Sequence, residues 1–147
     1  MTRFELSSET IHASCVAIDG RAVLLHGASG SGKSDLAFRL IDRGASLVSD
    51  DYTILRNDKG RLIAEPPPTI EGRIEVRGVG IVRFPPVTGA EVCLLLLLDQ
   101  PVPRLPEDPR PTRRIAGVDV PVLAIAAFEA SAPLKVELAL RQHGISG

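Results

Sequence analysis

An α/β fold built on a mixed sheet with several hairpins is predicted by three features of the sequence. The octapeptide Gly27-Ala28-Ser29-Gly30-Ser31-Gly32-Lys33-Ser34 fits G-x-x-x-x-G-K-[ST], the phosphate-binding P-loop pattern. It stands between a strand-like run and a helix-like run, the context that the pattern requires. Two turn signals, Asp19-Gly20 and Asn57-Asp58-Lys59-Gly60, each separate short β-type segments. Residues 91–98 are strongly apolar, as in a central strand covered on both faces. The chain of 147 residues shows no internal repeat and no compositional break, so residues 1–147 read as one P-loop domain, not a clean βαβαβ series.

In order along the chain, residues 11–18 read as a strand. Asp19-Gly20 reverses it, and residues 21–26 return antiparallel beside it. The strand entering the P-loop is therefore the second arm of a hairpin. Residues 34–42 read as a helix, with Leu36, Ala37, Leu40 and Ile41 on one face and Gly44 as its C-terminal cap. The positive N-terminal end of that helix faces the phosphates. Residues 46–49 form a short strand that ends at Asp50-Asp51. Residues 53–56 and 61–65 are the arms of a second hairpin. Pro66-Pro67-Pro68 marks a loop. Across residues 70–82 charged and apolar residues alternate, predicting a strand and then a glycine-punctuated bend. Beyond the central strand, prolines at 101, 103, 106, 109 and 111 mark a long loop. Residues 117–125 read as a pair of short strands. Ser131 is an N-cap with Pro133 in the first turn, residues 134–142 are the last helix, and Gly144 closes it.

Composition narrows the function classes. Apolar residues make up 44% and charged residues 24%, ordinary values for a globular protein. The net charge of −1 gives no basis for nucleic-acid binding. Arg110, Arg113 and Arg114 cluster locally and read as a solvated loop. Aromatic content is 3% and tryptophan is absent, so a stacking surface for nucleic-acid bases is not expected. Cys15 and Cys93 lie in apolar runs and read as buried, reduced thiols, which suits the cytoplasm. The N-terminus has no apolar segment of the signal-peptide kind, and the longest apolar run, residues 92–98, is too short to span a bilayer. No membrane partner is expected.

The P-loop residues carry a specific chemistry. Gly27, Gly30 and Gly32 admit positive φ, which lets the loop's N–H groups converge on phosphate oxygens. Lys33 would reach the β- and γ-phosphates, and the Ser34 hydroxyl would take a Mg²⁺ position. Such a loop needs acidic partners. Asp99, at the end of the apolar strand, is the conventional Walker B candidate. Asp50-Asp51 offers adjacent carboxylates, the arrangement of a base with a charged neighbour, or else a loop cap after a strand. His12 is a core histidine or a site residue. Glu75 and Arg77 alternate on a strand and would share a face, as a surface ion pair or as site residues. His26 reads as structural, and His143 as complementing the last helix's dipole.

In the order His12, the 27–34 loop, Asp50-Asp51 and Ile74-Glu-Val-Arg-Gly-Val-Gly-Ile81, the chain resembles the catalytic domain of the HPr kinase/phosphorylase family. Ser49 stands where the family usually has Ala before the dyad, and Gly117-Val-Asp-Val-Pro121 is a weaker match. The resemblance implies a P-loop fold related to phosphoenolpyruvate carboxykinase. It implies ATP and Mg²⁺ as cofactors, and a serine of an HPr-like phosphocarrier protein of the phosphotransferase system as substrate. It also implies a reverse, phosphorolytic reaction and a homo-oligomer, hexameric in the family. Carried onto this sequence, residues 27–34 hold ATP, and Ser34 and Glu75 bind Mg²⁺. Asp51 is the base, with Asp50 as its neighbour. His12 orients the dyad or the phosphate, Arg77 lies near the transferred phosphate, and Arg104 is the expected loop arginine. The family's N-terminal domain has no counterpart here, and its P-G-R-N-like segment is not seen around residues 128–133. Such a short form is expected where the phosphotransferase system is regulatory. Two other readings compete: a non-catalytic ATP-sensing module, and a small-molecule kinase that uses Asp99.

Overall fold

The apolar run expected at the centre of the sheet is β9 (Ala90–Leu97), and the sheet is built outward from it. The computed structural model describes residues 7–146. On one side β9 runs parallel to β3 (Arg21–His26). On the other it pairs antiparallel with β6 (Arg61–Glu65) near its start and parallel with β11 (Val118–Ala124) near its end. β2 (Ala13–Ile18) is antiparallel to β3, and β4 (Ser46–Ser49) is antiparallel to β2. Strands β4, β3, β9 and β11 therefore point the same way, and their carboxyl ends meet along one edge. Beyond β6 come β5 (Thr53–Asp58) and β1 (Ser8–Ile11), both antiparallel additions.

Both faces of β9 are covered, which is why its sequence is apolar without alternation. Leu94 and Leu96 pack with Val23 and Leu25 against α1 (Lys33–Asp42) and α2 (Ala132–His143). Val92 and Leu95 pack with Leu24, Leu55, Leu62 and Val120 on the opposite face, where the sheet's own outer strands close over the core. Burial pushes the thiols of Cys15 and Cys93 upward, and both are free.

The turns follow their residues. Asp19 and Gly20 both have positive φ (51° and 79°), as a two-residue primed hairpin turn requires. Lys59-Gly60 does the same between β5 and β6 (54° and 86°). Gly44 ends α1 at φ 110°; its N–H bonds Ile41 O, and the Ala45 N–H bonds Leu40 O, a Schellman closure.

Four expectations change. The strand expected over 11–18 is broken at His12, which sits in the bend between β1 and β2. The segment 70–82 forms a separate hairpin, β7 (Arg73–Val76) and β8 (Gly80–Arg83), fixed to α1 through buried Ile74. Residues 117–125 are one strand, not two: β11 pairs back on β10 (Thr112–Ile115), so Arg113 and Arg114 lie in a strand. The expected Ser131 cap makes no side-chain hydrogen bond. Among the described residues no helix is long and apolar enough to cross a membrane.

Leu94 is fully buried. Leu94→Ala should destabilise the protein by about 2–5 kcal/mol in urea unfolding; a loss under about 1 kcal/mol would contradict its place in the core.

Candidate active site

His12, the 27–34 loop, Asp50-Asp51 and Asp99 are brought together at the carboxyl edge of the sheet. β3 ends at His26, the 27–34 loop turns, and α1 begins at Lys33. Gly30 and Gly32 have φ of 84° and 94°, as expected. Gly27 does not belong to the positive-φ residues. It is required for space: a Cβ there would lie 2.5 Å from Ser31 Oγ and 2.9 Å from Ser31 Cβ. Lys33 is only 5% exposed, and its Nζ donates to the carbonyls of Gly27 (2.9 Å) and Ala28 (3.3 Å). The ammonium is thus held across the loop that it would serve. Ser31 Oγ is buried and has no hydrogen-bond partner among the described residues. A buried hydroxyl in that state needs an acceptor or donor from outside the chain.

The two aspartates part company. Asp50 is buried, and three donors converge on it. Ser34 Oγ donates to Oδ1 at 2.5 Å, Ser14 Oγ to the same oxygen at 3.0 Å, and the Glu75 N–H to Oδ2 at 3.3 Å. Asp51 follows at φ 67°, and the Tyr52 N–H bonds the Asp50 carbonyl at 2.7 Å. That i to i+2 bond across a positive φ is a strained γ-turn. It swings the Asp51 carboxylate outward, where it is half exposed and lies 2.6 Å from His12 Nε2. The Asp51 N–H bonds back to Ser14 Oγ at 3.0 Å. The His12 ring stacks on Tyr52, with centroids 4.8 Å apart and planes 17° from parallel. The bend that breaks the strand at His12 is what carries its ring to Asp51.

Asp99 meets the P-loop through a backbone N–H. Its Oδ2 accepts the Ala28 N–H at 3.0 Å, which holds its carboxyl below the usual range, while Ser34 bonds Asp50 instead. Glu75 reaches the site through its main chain, and its side chain is exposed. Arg77 lies just beyond β7, in the turn to β8, so the two do not alternate along one strand face as expected. Arg104 is exposed and lines a cavity of about 740 Å³ with Pro101, Leu138 and His143. No residue of the 27–34 loop lines that cavity. His143 lies in the last turn of α2, and burial, then Arg110, push its pKa down.

Ser14 and Tyr52 were missed in the sequence. Ser14 is the one hydroxyl in the otherwise apolar β2, and that was its signal. Tyr52 is the chain's single tyrosine and directly follows the dyad.

Comparison with known proteins identifies a family. Residues 5–94 match the family described as HPr Serine kinase C-terminal domain. The chain is 41% identical over 86 residues to the HPr kinase/phosphorylase of Clostridium tetani, covering 58% of this chain and 28% of that protein. It is 35% identical over 129 residues to the HPr kinase/phosphorylase of Enterococcus faecalis, covering 79% of this chain and 41% of that one. The chain thus spans less than half the length of these relatives. The solved structure of the Hpr(Ser) kinase/phosphatase from Coxiella burnetii matches with a TM-score of 0.79 at 32% identity, over 92% of this chain and 90% of that one.

His26 gives a pH prediction. Burial first, then Arg113, lower its pKa, and Nδ1 is buried with no partner among the described residues. The folded state therefore resists protonating a group that the unfolded chain protonates near the ordinary value of about 6.5. Its contribution is fully present above that pH and is lost as pH falls toward the lowered folded value. Between pH 7.5 and 5.5, the urea midpoint of His26→Gln should fall less than that of the wild type; equal slopes would remove His26 as the cause.

Proposed function

The chain belongs to the HPr serine kinase C-terminal domain family, and we propose that it transfers the γ-phosphoryl group of ATP to a serine hydroxyl of an HPr-like phosphocarrier protein. The observation that carries this reading is the division of the dyad: Asp50 turned inward onto Ser34, Asp51 turned outward onto His12. A nucleotide's phosphates suit the loop. The unpartnered Ser31 hydroxyl, the enclosed Lys33 ammonium and the N-terminus of α1 all favour anionic oxygens. The adjoining Ser34 hydroxyl and Asp50 carboxylate are hard oxygen donors that fit Mg²⁺, with Glu75 beside them through its main chain. When bound, Mg²⁺ would neutralise charge on the β- and γ-phosphates.

The chain's own residues then act as follows. Lys33 binds the phosphates. Asp51, exposed and 2.6 Å from His12, takes the proton from the incoming serine hydroxyl. The serine Oγ–P bond forms as the bond to the β-phosphate oxygen breaks, ADP leaves, and the proton rests on Asp51. His12 fixes the carboxylate through Nε2, and Tyr52 fixes the His12 ring by stacking. Arg77, exposed just beyond β7 and two residues after Glu75, would meet the charge on the transferred group. Two free, buried thiols suit a reducing compartment, the cytoplasm.

Transfer from [γ-³²P]ATP to the organism's own HPr-like protein tests this. Asp51→Asn should lower the rate about 10²–10⁴-fold while ATP affinity stays within about threefold, the signature of a lost general base. Wild-type protein that binds ATP and labels no carrier would overturn the kinase reading in favour of a nucleotide sensor. In the same assay Asp99→Asn should cost less than Asp51→Asn; the reverse order would favour a small-molecule kinase built on Asp99. His12→Ala should lower the rate by less than Asp51→Asn, since it removes only the orienting partner.

A further inference from the structure

The phosphate cradle accounts for one end of a nucleotide. The other end, the base, needs a surface, and the loop that follows β11 offers one. β3, β9 and β11 are parallel, and ligands of such sheets bind outside the carboxyl ends of the strands. From the end of β11 the chain runs back to the P-loop, where Ala127 and Phe128 pack on Gly32. A Cβ at Gly32 would lie 3.1 Å and 3.2 Å from Cε1 and Cζ of Phe128, and 3.2 Å from the Ala127 Cβ. The ring therefore touches the last glycine before Lys33, yet it is 73% exposed.

A single exposed apolar side chain is ordinary on a protein surface. Two observations set this one apart. The loop beneath it is pinned: the Arg39 guanidinium, from α1, donates to the carbonyls of Ala127 and Glu129, and Glu129 pairs with Lys135 at 3.1 Å. The ring is thus exposed without its backbone being loose. The chain is also poor in aromatics, with four Phe, one Tyr and no Trp, and the lone Tyr already lies in the site against His12.

We propose that Phe128 is the platform on which the purine base of the bound nucleotide stacks, which makes the loop after β11 the base end of the site. The inference rests on the reading of the P-loop as an ATP site. A flat hydrocarbon ring beside the phosphate cradle offers its π-face to a base and makes no demand on the base's edge groups. Nothing in this contact acts on the phosphates, so base and phosphate contributions are separable.

The test is calorimetric titration of the whole chain with MgATP and, separately, with magnesium tripolyphosphate, which carries the phosphates without the base. Phe128→Ala should weaken ATP about tenfold, within the range measured for loss of one base–aromatic stack, and leave tripolyphosphate within about twofold. Phe128→Trp should retain ATP affinity. Because the chain has no other tryptophan, its emission reports the site directly: it should change on adding ATP and not on adding tripolyphosphate. Unchanged ATP affinity in Phe128→Ala, or equal losses for ATP and tripolyphosphate, would overturn the platform while leaving the ATP reading intact. A wild-type chain that binds neither ligand would overturn both.

Discussion

The buried carboxylate of Asp50 is the constraint on which the site depends. A carboxylate withdrawn from water is costly unless hydrogen-bond donors replace the lost hydration. Here three donors do so, and each comes from a different element: Ser34 from the start of α1, Ser14 from β2, and the Glu75 N–H from β7. Satisfying one side chain therefore fixes the P-loop helix, strand β2 of the sheet and the separate β7–β8 hairpin relative to one another. Among the described residues the hairpin pairs with no strand of the main sheet, so this bond and the packing of Ile74, Val76 and Val82 on the core seat it at the site.

Asp51 is placed by backbone strain. A non-glycine residue at positive φ costs of order 1–3 kcal/mol and persists only where its surroundings impose it. The surroundings here are explicit. Ser49 Oγ bonds the Tyr52 carbonyl, Thr53 Oγ1 bonds the Ala13 carbonyl at 2.7 Å, and Ser14 takes the Asp51 N–H. With both flanks tied down, the chain between β4 and β5 has one way to turn, and that turn faces successive carboxylates in opposite directions. Two residues of the same type thus gain different environments without a specialised side chain, the difference that the proposed roles of cation ligand and base require.

Elements with local signals were legible in the sequence. Asp19-Gly20, Gly60, Gly30 and Gly32 adopt conformations that their residue types favour, and the run through Leu94 and Leu96 read as a strand buried on both faces. What stayed hidden was set by partners distant in the chain. The break at His12 lies inside an apolar run that reads as continuous strand, and only Asp51, 39 positions away, gives the bend its use. The pairing of β10 with β11 was missed because Thr112–Ile115 is short, mostly exposed and rich in arginine, so no alternation marked it. Pattern favoured Asp99 as the metal carboxylate, since it ends the most apolar strand; it is the hydroxyl of Ser34 that settles on Asp50. Gly27 was read correctly as necessary, for the wrong reason: the crowding comes from Ser31 within the same loop.

The mixed topology explains why one edge collects so much chemistry. β2 runs against its neighbours β3 and β4, so its beginning lies where their ends lie. His12 enters β2 at the same edge at which His26 leaves β3 and Asp50 leaves β4. An antiparallel strand among parallel ones thus contributes its N-terminal flank to a crevice otherwise made of C-terminal flanks. A purely parallel sheet would send the residue preceding that strand to the far side of the molecule. The hairpin ahead of the P-loop is therefore part of the device: it delivers the group that grips Asp51, while β3, β9 and β11 deliver the loop, the Asp99 brace and the Phe128 segment from the other direction.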